Sequence, residues 1–226
     1  MQTLSKERIG NFTASDIFKL FVGGSGVTRD NYIFEKAEER IKGHQKQFRN
    51  KYTEHGHLNE HEAINEFSRV SGLIVENLNQ QYFPINENCG STPDAKVSDF
   101  AGNTIASVDV KCATETFFKQ KYEQIKDSKP KFQNVPKAYY YQAQMQMLSL
   151  NVKEHYLVRY LTSMDVDDDG NKIEYDLPIE TRLFYKVIKA DEGVQNEILL
   201  LVEQAAKERD VLIEILLKVL KLVLEN

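Results

Sequence analysis

The sequence predicts a single α/β domain in which helices flank a central mixed β-sheet. Of its 226 residues, 41% are hydrophobic, which is enough to bury a core that needs no disulfide or structural metal. Helical and strand-like patterns alternate along the chain in the order helix, strands, helix, strands, helix. Since no internal repeat or Gly/Ser-rich linker divides the sequence, we expect one domain over residues 1–226.

The first half of the chain predicts two helices and two strands. Residues 15–21, SDIFKLF, pair an N-cap serine with apolar residues at helical spacing. Residues 60–70 form a second amphipathic helix, which places Glu60 near its first turn, where the helix dipole favours a carboxylate. Residues 73–83 and 105–112 are strand-like, and the sequence between them is rich in turn formers.

The second half predicts a helix, two strands and an apolar C-terminal helix. The helix covers residues 137–150, and the strands cover 155–161 and 181–187. The last helix, at about 208–225, has a single narrow polar stripe, so it must be covered on most sides. Packing on its own sheet and burial in an oligomer interface both remain open.

Net charge and cysteine content exclude several classes of protein. The formal charge of −5 argues against a protein that coats nucleic acid by bulk attraction. It is compatible with a DNA enzyme in which carboxylates bind the metal and local basic stretches bind the DNA phosphates. Residues 40–51 and 117–137 are such basic stretches. Cys89 and Cys112 have no zinc or iron–sulfur spacing, and no signal peptide or membrane span is recognisable, so a cytoplasmic protein is expected.

The chemistry is concentrated in two short segments. Pro93-Asp94 is followed, fifteen residues after Asp94, by Asp109-Val110-Lys111 on the strand at 105–112. Side chains alternate along a strand, so Asp109 and Lys111 point to the same side and Asp94 can converge on them. Two carboxylates and the Val110 carbonyl suit a hard cation such as Mg²⁺, and Lys111 can hold or polarise a water. The pattern alone also fits an ordinary surface ion pair.

The order of further motifs resembles the lambda exonuclease or YqaJ-type viral recombinase family, within the PD-(D/E)XK nuclease superfamily. The resemblance runs from Arg8 to about Leu148. The matching segments are Arg8-x-Gly-x-x-Thr-Ala-Ser15, Gly56-x-x-x-Glu60, Thr92-Pro-Asp94, Asp109-Val-Lys111-Cys and Tyr139-x-x-Gln142-x-Gln144. Two positions depart from the family pattern: Asp109 stands where that pattern has glutamate, and Thr92 replaces a serine but keeps a hydroxyl.

The resemblance implies a PD-(D/E)XK (restriction endonuclease-like) core and a division of roles among these residues. Glu60, Asp94, Asp109 and Lys111 would be catalytic, and Glu60, Asp94, Asp109 and the Val110 carbonyl would bind Mg²⁺, or Mn²⁺, with two ions per site. The residues implied to bind DNA and its 5′-phosphate are Arg8, Ser15, Thr92, Gln142 and Gln144. His55, His57 and His61 lie near Glu60 in sequence and are interpreted as solvated neighbours of the site rather than as ligands for a softer metal.

The expected activity is metal-dependent 5′-to-3′ digestion of double-stranded DNA ends. The products would be 5′-mononucleotides and a 3′ overhang for homologous recombination, and the family implies a ring-shaped trimer, a single-strand annealing partner and a phage or prophage origin in a bacterial host. Another PD-(D/E)XK endonuclease or repair nuclease, and a catalytically silent DNA-binding module, are the alternatives. Digestion polarity, processivity, subunit number, metal preference and partner stay open at this level.

Overall fold

A computed structural model describes residues 6–21, 27–45, 50–114, 119 and 129–224. The strands are β1 (Phe12–Thr13), β2 (Ile74–Asn77), β3 (Phe83–Asn86), β4 (Cys89–Ser91), β5 (Ala95–Ser98), β6 (Thr104–Ala113), β7 (Glu154–Leu161) and β8 (Leu183–Lys189). The helices are α1 (Val27–Lys42), α2 (Lys51–Ser71), α3 (Lys137–Leu150), α4 (Ile179–Arg182) and α5 (Glu192–Leu224), with short 3₁₀ turns at Lys6–Arg8, Ile17–Phe21 and Pro130–Phe132.

The main sheet has five strands in the order β2-β5-β6-β7-β8. β6 and β7 pair in parallel and the other neighbours pair antiparallel, so the sheet is mixed. β1, β4 and β3 form a smaller sheet in which β1 runs parallel to β4. The predicted mixed sheet with flanking helices is therefore confirmed.

The core lies on both faces of the main sheet. One cluster packs α2, including Phe67, against Val108 and Tyr160. The other packs α1, α3 and α5 against the opposite face, where Leu157 contributes. Because side chains alternate along a strand, residues 109 and 111 point to the face that α3 covers.

The prediction of one continuous strand over residues 73–83 is wrong. Two strands occur instead, β2 in the main sheet and β3 in the small one. Between them, Asn79 and Gln80 have φ values of 49° and 60°, in the left-handed region that an extended strand cannot contain. The apolar and β-branched content of this segment concealed the turn.

Helix boundaries also differ from the prediction. α2 begins at Lys51, where the Asn50 side chain and Thr53 form a reciprocal capping box, so Glu60 lies in the middle of the helix and its expected position near the first turn is wrong. α1 was not predicted. The 137–150 helix and the strands at 105–112, 155–161 and 181–187 are confirmed within about two residues, the usual uncertainty of element ends.

The C-terminal helix begins at Glu192, well before the predicted start at about 208. Its first half packs on the body through Ile198, Val202 and Ala205, which are buried. Its second half leaves large apolar side chains 44–61% exposed, namely Val211, Ile215, Leu217, Val219, Leu220 and Leu222. None of the helices in the described ranges combines the length and apolar character that a membrane crossing needs.

Candidate active site

Asp94 is held at the start of β5 by the backbone of β6. Its N–H donates to the Val108 carbonyl at 3.1 Å, and its Oδ2 accepts the Val110 N–H at 2.6 Å. The antiparallel register, with Ala95 opposite Val108, places the Asp94 carboxylate beside the segment that carries Asp109 and Lys111. The convergence predicted from strand alternation is thus present.

Asp109 is buried and contacted from two sides. Its Oδ1 accepts hydrogen bonds from Gln142 Nε2 at 2.6 Å and Gln146 Nε2 at 3.2 Å, both on α3. Its Oδ2 lies 2.6 Å from Lys111 Nζ and makes no hydrogen bond to the described residues beyond this ion pair. The glutamines therefore fix the carboxylate while one of its oxygens keeps coordination capacity.

Glu60 reaches the same place from α2. Its side chain is 17% exposed and lies 3.7 Å from His57 Nδ1. Burial raises the pKa of Glu60, and the Asp109 carboxylate adds to that rise against the opposing effect of His57. Burial, with the charges of Asp109 and Glu60, also raises the pKa of Asp94 well above its ordinary value. Three carboxylates are close enough to oppose each other's ionisation, which is the electrostatic signature of an acidic site.

Lys111 is the cation of this cluster. Burial disfavours its charge, but the carboxylates of Asp109 and Asp94 outweigh that effect and hold the pKa of Lys111 above its ordinary value. The side chain is accordingly an ammonium, which donates hydrogen bonds and attracts anions and does not act as a base.

The donor set fits a hard divalent cation. In the described part of the chain no three His, Cys, Asp or Glu side chains stand in a ready-made ligand arrangement. The fit rests on donor chemistry: the clustered groups are carboxylates with a neighbouring backbone carbonyl, the oxygen ligands that Mg²⁺ and Mn²⁺ prefer. A dication would also relieve the repulsion that raises the pKa of Asp94 and Glu60.

Arg8 and Thr92 meet beside this cluster. β1 pairs with β4, which brings the N-terminal segment to the residue that precedes Pro93 and Asp94. Arg8 Nη1 donates to Thr92 Oγ1 at 3.3 Å, and the buried Nε of Arg8 has no hydrogen-bond acceptor among the described residues. This arginine donor without an acceptor, on a side chain bonded to Thr92 two positions before Asp94, is available for an anionic ligand.

The structure does not bring every predicted residue to the site. Ser15 is exposed, just before the 3₁₀ turn at Ile17–Phe21. Gln144 is completely buried on the other side of α3, where it donates to the Lys189 carbonyl at 2.9 Å and accepts the Asp191 N–H at 2.9 Å. Its contacts are structural, and none of them reaches the acidic cluster.

Two contributors were missed by sequence reasoning. Gln146, rather than Gln144, shares Asp109 with Gln142, and the i, i+4 spacing of 142 and 146 on a helix was the available signal. Arg159, opposite Lys111 on β7, is 2% exposed and faces the site. It stands in an apolar-looking strand and carried no local signal. Parts of both basic stretches, 46–49, 117–118 and 120–128, lie outside the described residues.

Comparison with known families agrees with this geometry. The family model for the YqaJ-like viral recombinase domain matches residues 5–153, which include every residue of the acidic cluster. The chain belongs to this family. The resemblance read from the sequence is thereby confirmed. A search of curated proteins finds no significant match.

Several solved structures share the fold of this YqaJ-like protein. An alkaline exonuclease from Laribacter hongkongensis is 24% identical with a TM-score of 0.72, over 95% of this chain and 96% of that one. The same exonuclease in complex with dAMP is 27% identical with a TM-score of 0.72, over 96% and 97%. A phage-related exonuclease from Haemophilus somnus is 19% identical with a TM-score of 0.69, over 91% and 96%. The PD-(D/E)XK-type fold expected from the sequence is confirmed.

Proposed function

We propose that this protein is a metal-dependent DNA exonuclease that degrades double-stranded DNA from 5′ ends and leaves 3′ overhangs for homologous recombination. The observation that carries the proposal is the convergence of Asp94, Asp109, Glu60 and Lys111 in a chain of the YqaJ-like family. The exonuclease names of the structural neighbours, one of them bound to dAMP, support the same activity.

The residues divide the work of hydrolysis. Asp94, Asp109, Glu60 and the Val110 carbonyl hold one or two Mg²⁺ ions, with Mn²⁺ as an alternative. The metal, when bound, lowers the pKa of water and neutralises charge on the phosphate. Lys111 orients the attacking water or a phosphate oxygen through its ammonium. Gln142 and Gln146 keep Asp109 from rotating.

The proposed polarity follows from the Arg8–Thr92 pair. Arg8 and Thr92 seat a terminal 5′-phosphate, with the unused Arg8 Nε as one of its donors. Attack of water on the next phosphorus forms a P–O bond and breaks the P–O3′ bond, so the following nucleotide keeps a 5′-phosphate. Each cleavage thereby regenerates the end that the pocket recognises.

Assembly and partners belong to the same proposal. A ring-shaped trimer around duplex DNA accounts for repeated cleavage without release, and a single-strand annealing protein would take up the 3′ overhang. The exposed apolar half of α5 is available for a subunit contact. A phage or prophage gene acting in a bacterial cytoplasm fits the viral recombinase family.

The test uses linear duplex DNA with Mg²⁺ or Mn²⁺, labelled separately at each 3′ end and each 5′ end. Termini carry either 5′-phosphate or 5′-hydroxyl, and closed circular plasmid is included. We expect early release of the 5′ label as mononucleotide and slow loss of the 3′ label. We also expect faster digestion of 5′-phosphorylated ends and no cleavage of the closed circles. EDTA and the Asp109→Asn variant serve as inactive controls.

Three results would contradict the proposal in different ways. Early release of the 3′ label reverses the polarity. Cleavage of closed circles indicates an endonuclease. Binding of DNA ends without hydrolysis under either metal indicates a catalytically silent module.

A further inference from the structure

Arg159 is a buried cation beside the catalytic lysine. In the parallel pairing of β6 with β7, Arg159 stands opposite Lys111. Residues paired across neighbouring strands project to the same face of a sheet, so both side chains lie on the face that α3 covers. Arg159 is 2% exposed, whereas the Lys111 side chain is 26% exposed. Arg159 is thus the more deeply buried of the two cations.

The contacts of Arg159 lead to the Tyr139 side chain, through a hydrogen bond and through the ring, and not to a carboxylate. Its Cζ lies 4.9 Å from the ring centroid of Tyr139, and Lys111 Nζ lies 5.4 Å from the same centroid. Tyr139 stands on α3 one turn before Gln142, the residue that holds Asp109. One aromatic ring therefore joins the two cations of this sheet face.

Arg159 differs from two other arginines, the buried Arg209 and the partly buried Arg182. Arg209 donates to the Gly10 carbonyl and to Asn88 Oδ1, and Arg182 forms an ion pair with Glu174 at 2.6 Å. For Arg159, no carboxylate among the described residues lies within ion-pair distance, and its buried Nε and Nη2 find no acceptor there. Such a side chain is a poor choice for stability, because burying a charge is costly unless it is paired.

We propose that Arg159 is a positioning residue that holds the Tyr139 ring against Lys111 and thereby fixes the direction of the lysine ammonium. This inference rests on the proposed nuclease function. A lysine has four rotatable side-chain bonds, and in the described part of the chain Lys111 makes one ion pair, with Asp109, which restrains the ammonium at one point. A guanidinium stacks on an aromatic face, and the electron-rich ring attracts the ammonium as well. Arg159 and Tyr139 together supply the second restraint.

The kinetic test compares kcat and KM on 5′-phosphorylated duplex. Arg159→Gln is expected to lower kcat by about 10- to 100-fold with KM within about threefold, because a small misplacement of a reacting group has effects of that size. Tyr139→Leu should give the same loss, and Tyr139→Phe, which keeps the ring and removes only the hydroxyl that hydrogen-bonds Arg159, should lose clearly less than Tyr139→Leu. The Arg159→Gln/Tyr139→Leu double variant should be no slower than either single variant, because both remove one restraint.

A second measurement does not depend on turnover. In protein labelled with ¹⁵N at lysine Nζ, the Lys111 signal is assigned by its loss in Lys111→Arg. Relaxation of that signal should show greater motion in Arg159→Gln and Tyr139→Leu than in the wild type and Tyr139→Phe. The melting temperature of Arg159→Gln should not fall, because the substitution removes a buried charge that has no carboxylate partner.

Arg182→Gln is the matched control. Arg182 also lies over a tyrosine, 5.5 Å from the Tyr160 centroid, but on the opposite face of the sheet. The Arg182→Gln variant should have the same kcat and the same Lys111 relaxation as the wild type.

Additive losses in the double variant, or an unchanged Lys111 signal in Arg159→Gln, would overturn the inference. A wild-type protein that hydrolyses no DNA would instead contradict the proposed function, and the relaxation measurement would still decide whether Arg159 restrains Lys111.

Discussion

The two faces of the β6–β7 pair have opposite chemistry. The face toward α2 carries Val108, Val110, Val158 and Tyr160, which join an apolar cluster. The face toward α3 carries, besides Leu157, a set of polar residues, most of them equally buried. These are Ser107, Asp109, Lys111, His155 and Arg159. Both faces are produced by the same two strands, through the twofold alternation of side chains.

The difference shows how the fold separates stability from chemistry. On the apolar face, each side chain that is removed from water stabilises the folded protein. The polar face buries carboxylates and holds like charges close together, and the raised pKa of Asp94 records both costs. Substitutions on one face should therefore change folding, and substitutions on the other should change turnover.

The largest expected effect is that of Lys111→Ala on the polar face. Loss of the ammonium should reduce the initial rate of DNA hydrolysis by about a thousandfold or more, the size associated with removing one preorganised charged donor. Lys96→Ala on β5 is the matched control, since Lys96 pairs with Glu76 outside the acidic cluster. A Lys111→Ala enzyme that keeps more than about a tenth of the rate would contradict the assignment.

On the apolar face, Phe67→Ala should reduce the free energy of unfolding by about 3–5 kcal/mol, the usual cost of emptying a buried aromatic site. Phe67 is fully buried and contacts the Tyr156 and Tyr185 rings. Urea denaturation measures the loss, and kcat under folding conditions should stay near the wild-type value. Leu58→Ala, on the exposed side of α2, should change stability by less than about 0.5 kcal/mol. Equal effects of the two variants would contradict the assigned core.

The two glutamines of α3 sharpen the comparison within one helix. Gln142→Leu removes the 2.6 Å hydrogen bond to Asp109 and should lower kcat by about tenfold or more, as loss of a group that orients a metal ligand does. Gln144→Leu leaves the Lys189 carbonyl and the Asp191 N–H without their partner, and should cost about 1–3 kcal/mol of stability. Steady-state kinetics and urea denaturation are measured for both variants. A loss of stability in Gln142→Leu with a loss of kcat in Gln144→Leu would contradict these assignments.

The smallest effect concerns pH and the Asp94 carboxyl in metal-free protein. Its pKa is higher in the folded chain than in the unfolded one, so the folded chain binds more protons and this group lowers stability as the pH rises from about 4. Asp94→Asn removes that penalty. Its melting temperature should exceed that of the wild type by about 2–4 °C at pH 7, the shift that about 1 kcal/mol gives in a chain of this size.

Calorimetry in EDTA measures the difference in melting temperature between Asp94→Asn and the wild type at each pH. The difference should shrink as the pH falls through about 4, because below that pH Asp94 is protonated in both the folded and the unfolded chain. A difference that is constant or that grows toward acid pH would contradict the raised pKa.

Local patterns predicted the centre of the site well. Asp109 and Lys111 are two residues apart on a strand, and Asp94 is tied to the adjacent backbone, so their convergence needs no distant information. The helix at 137–150 and the strand at 105–112 were also predictable, because each carries a regular pattern over its full length.

Segments whose structure depends on distant contacts were predicted poorly. The strand at 73–83 divides at Asn79 and Gln80 because its two halves pair in different sheets. Gln142 and Gln144 belong to one motif, yet a helix turns 100° per residue, so they point to different sides and Gln146 becomes the neighbour of Gln142.

The sequence by itself determined the mixed α/β class, the family and the carboxylate–lysine centre, because alternation and motif order are encoded over a few neighbouring residues. Only the tertiary structure decided that Arg8 meets Thr92, that Glu60 approaches from mid-helix, and that Arg159 lies opposite Lys111. Those relations depend on strand pairing and helix packing, which join residues far apart in the chain and leave no mark in a local pattern.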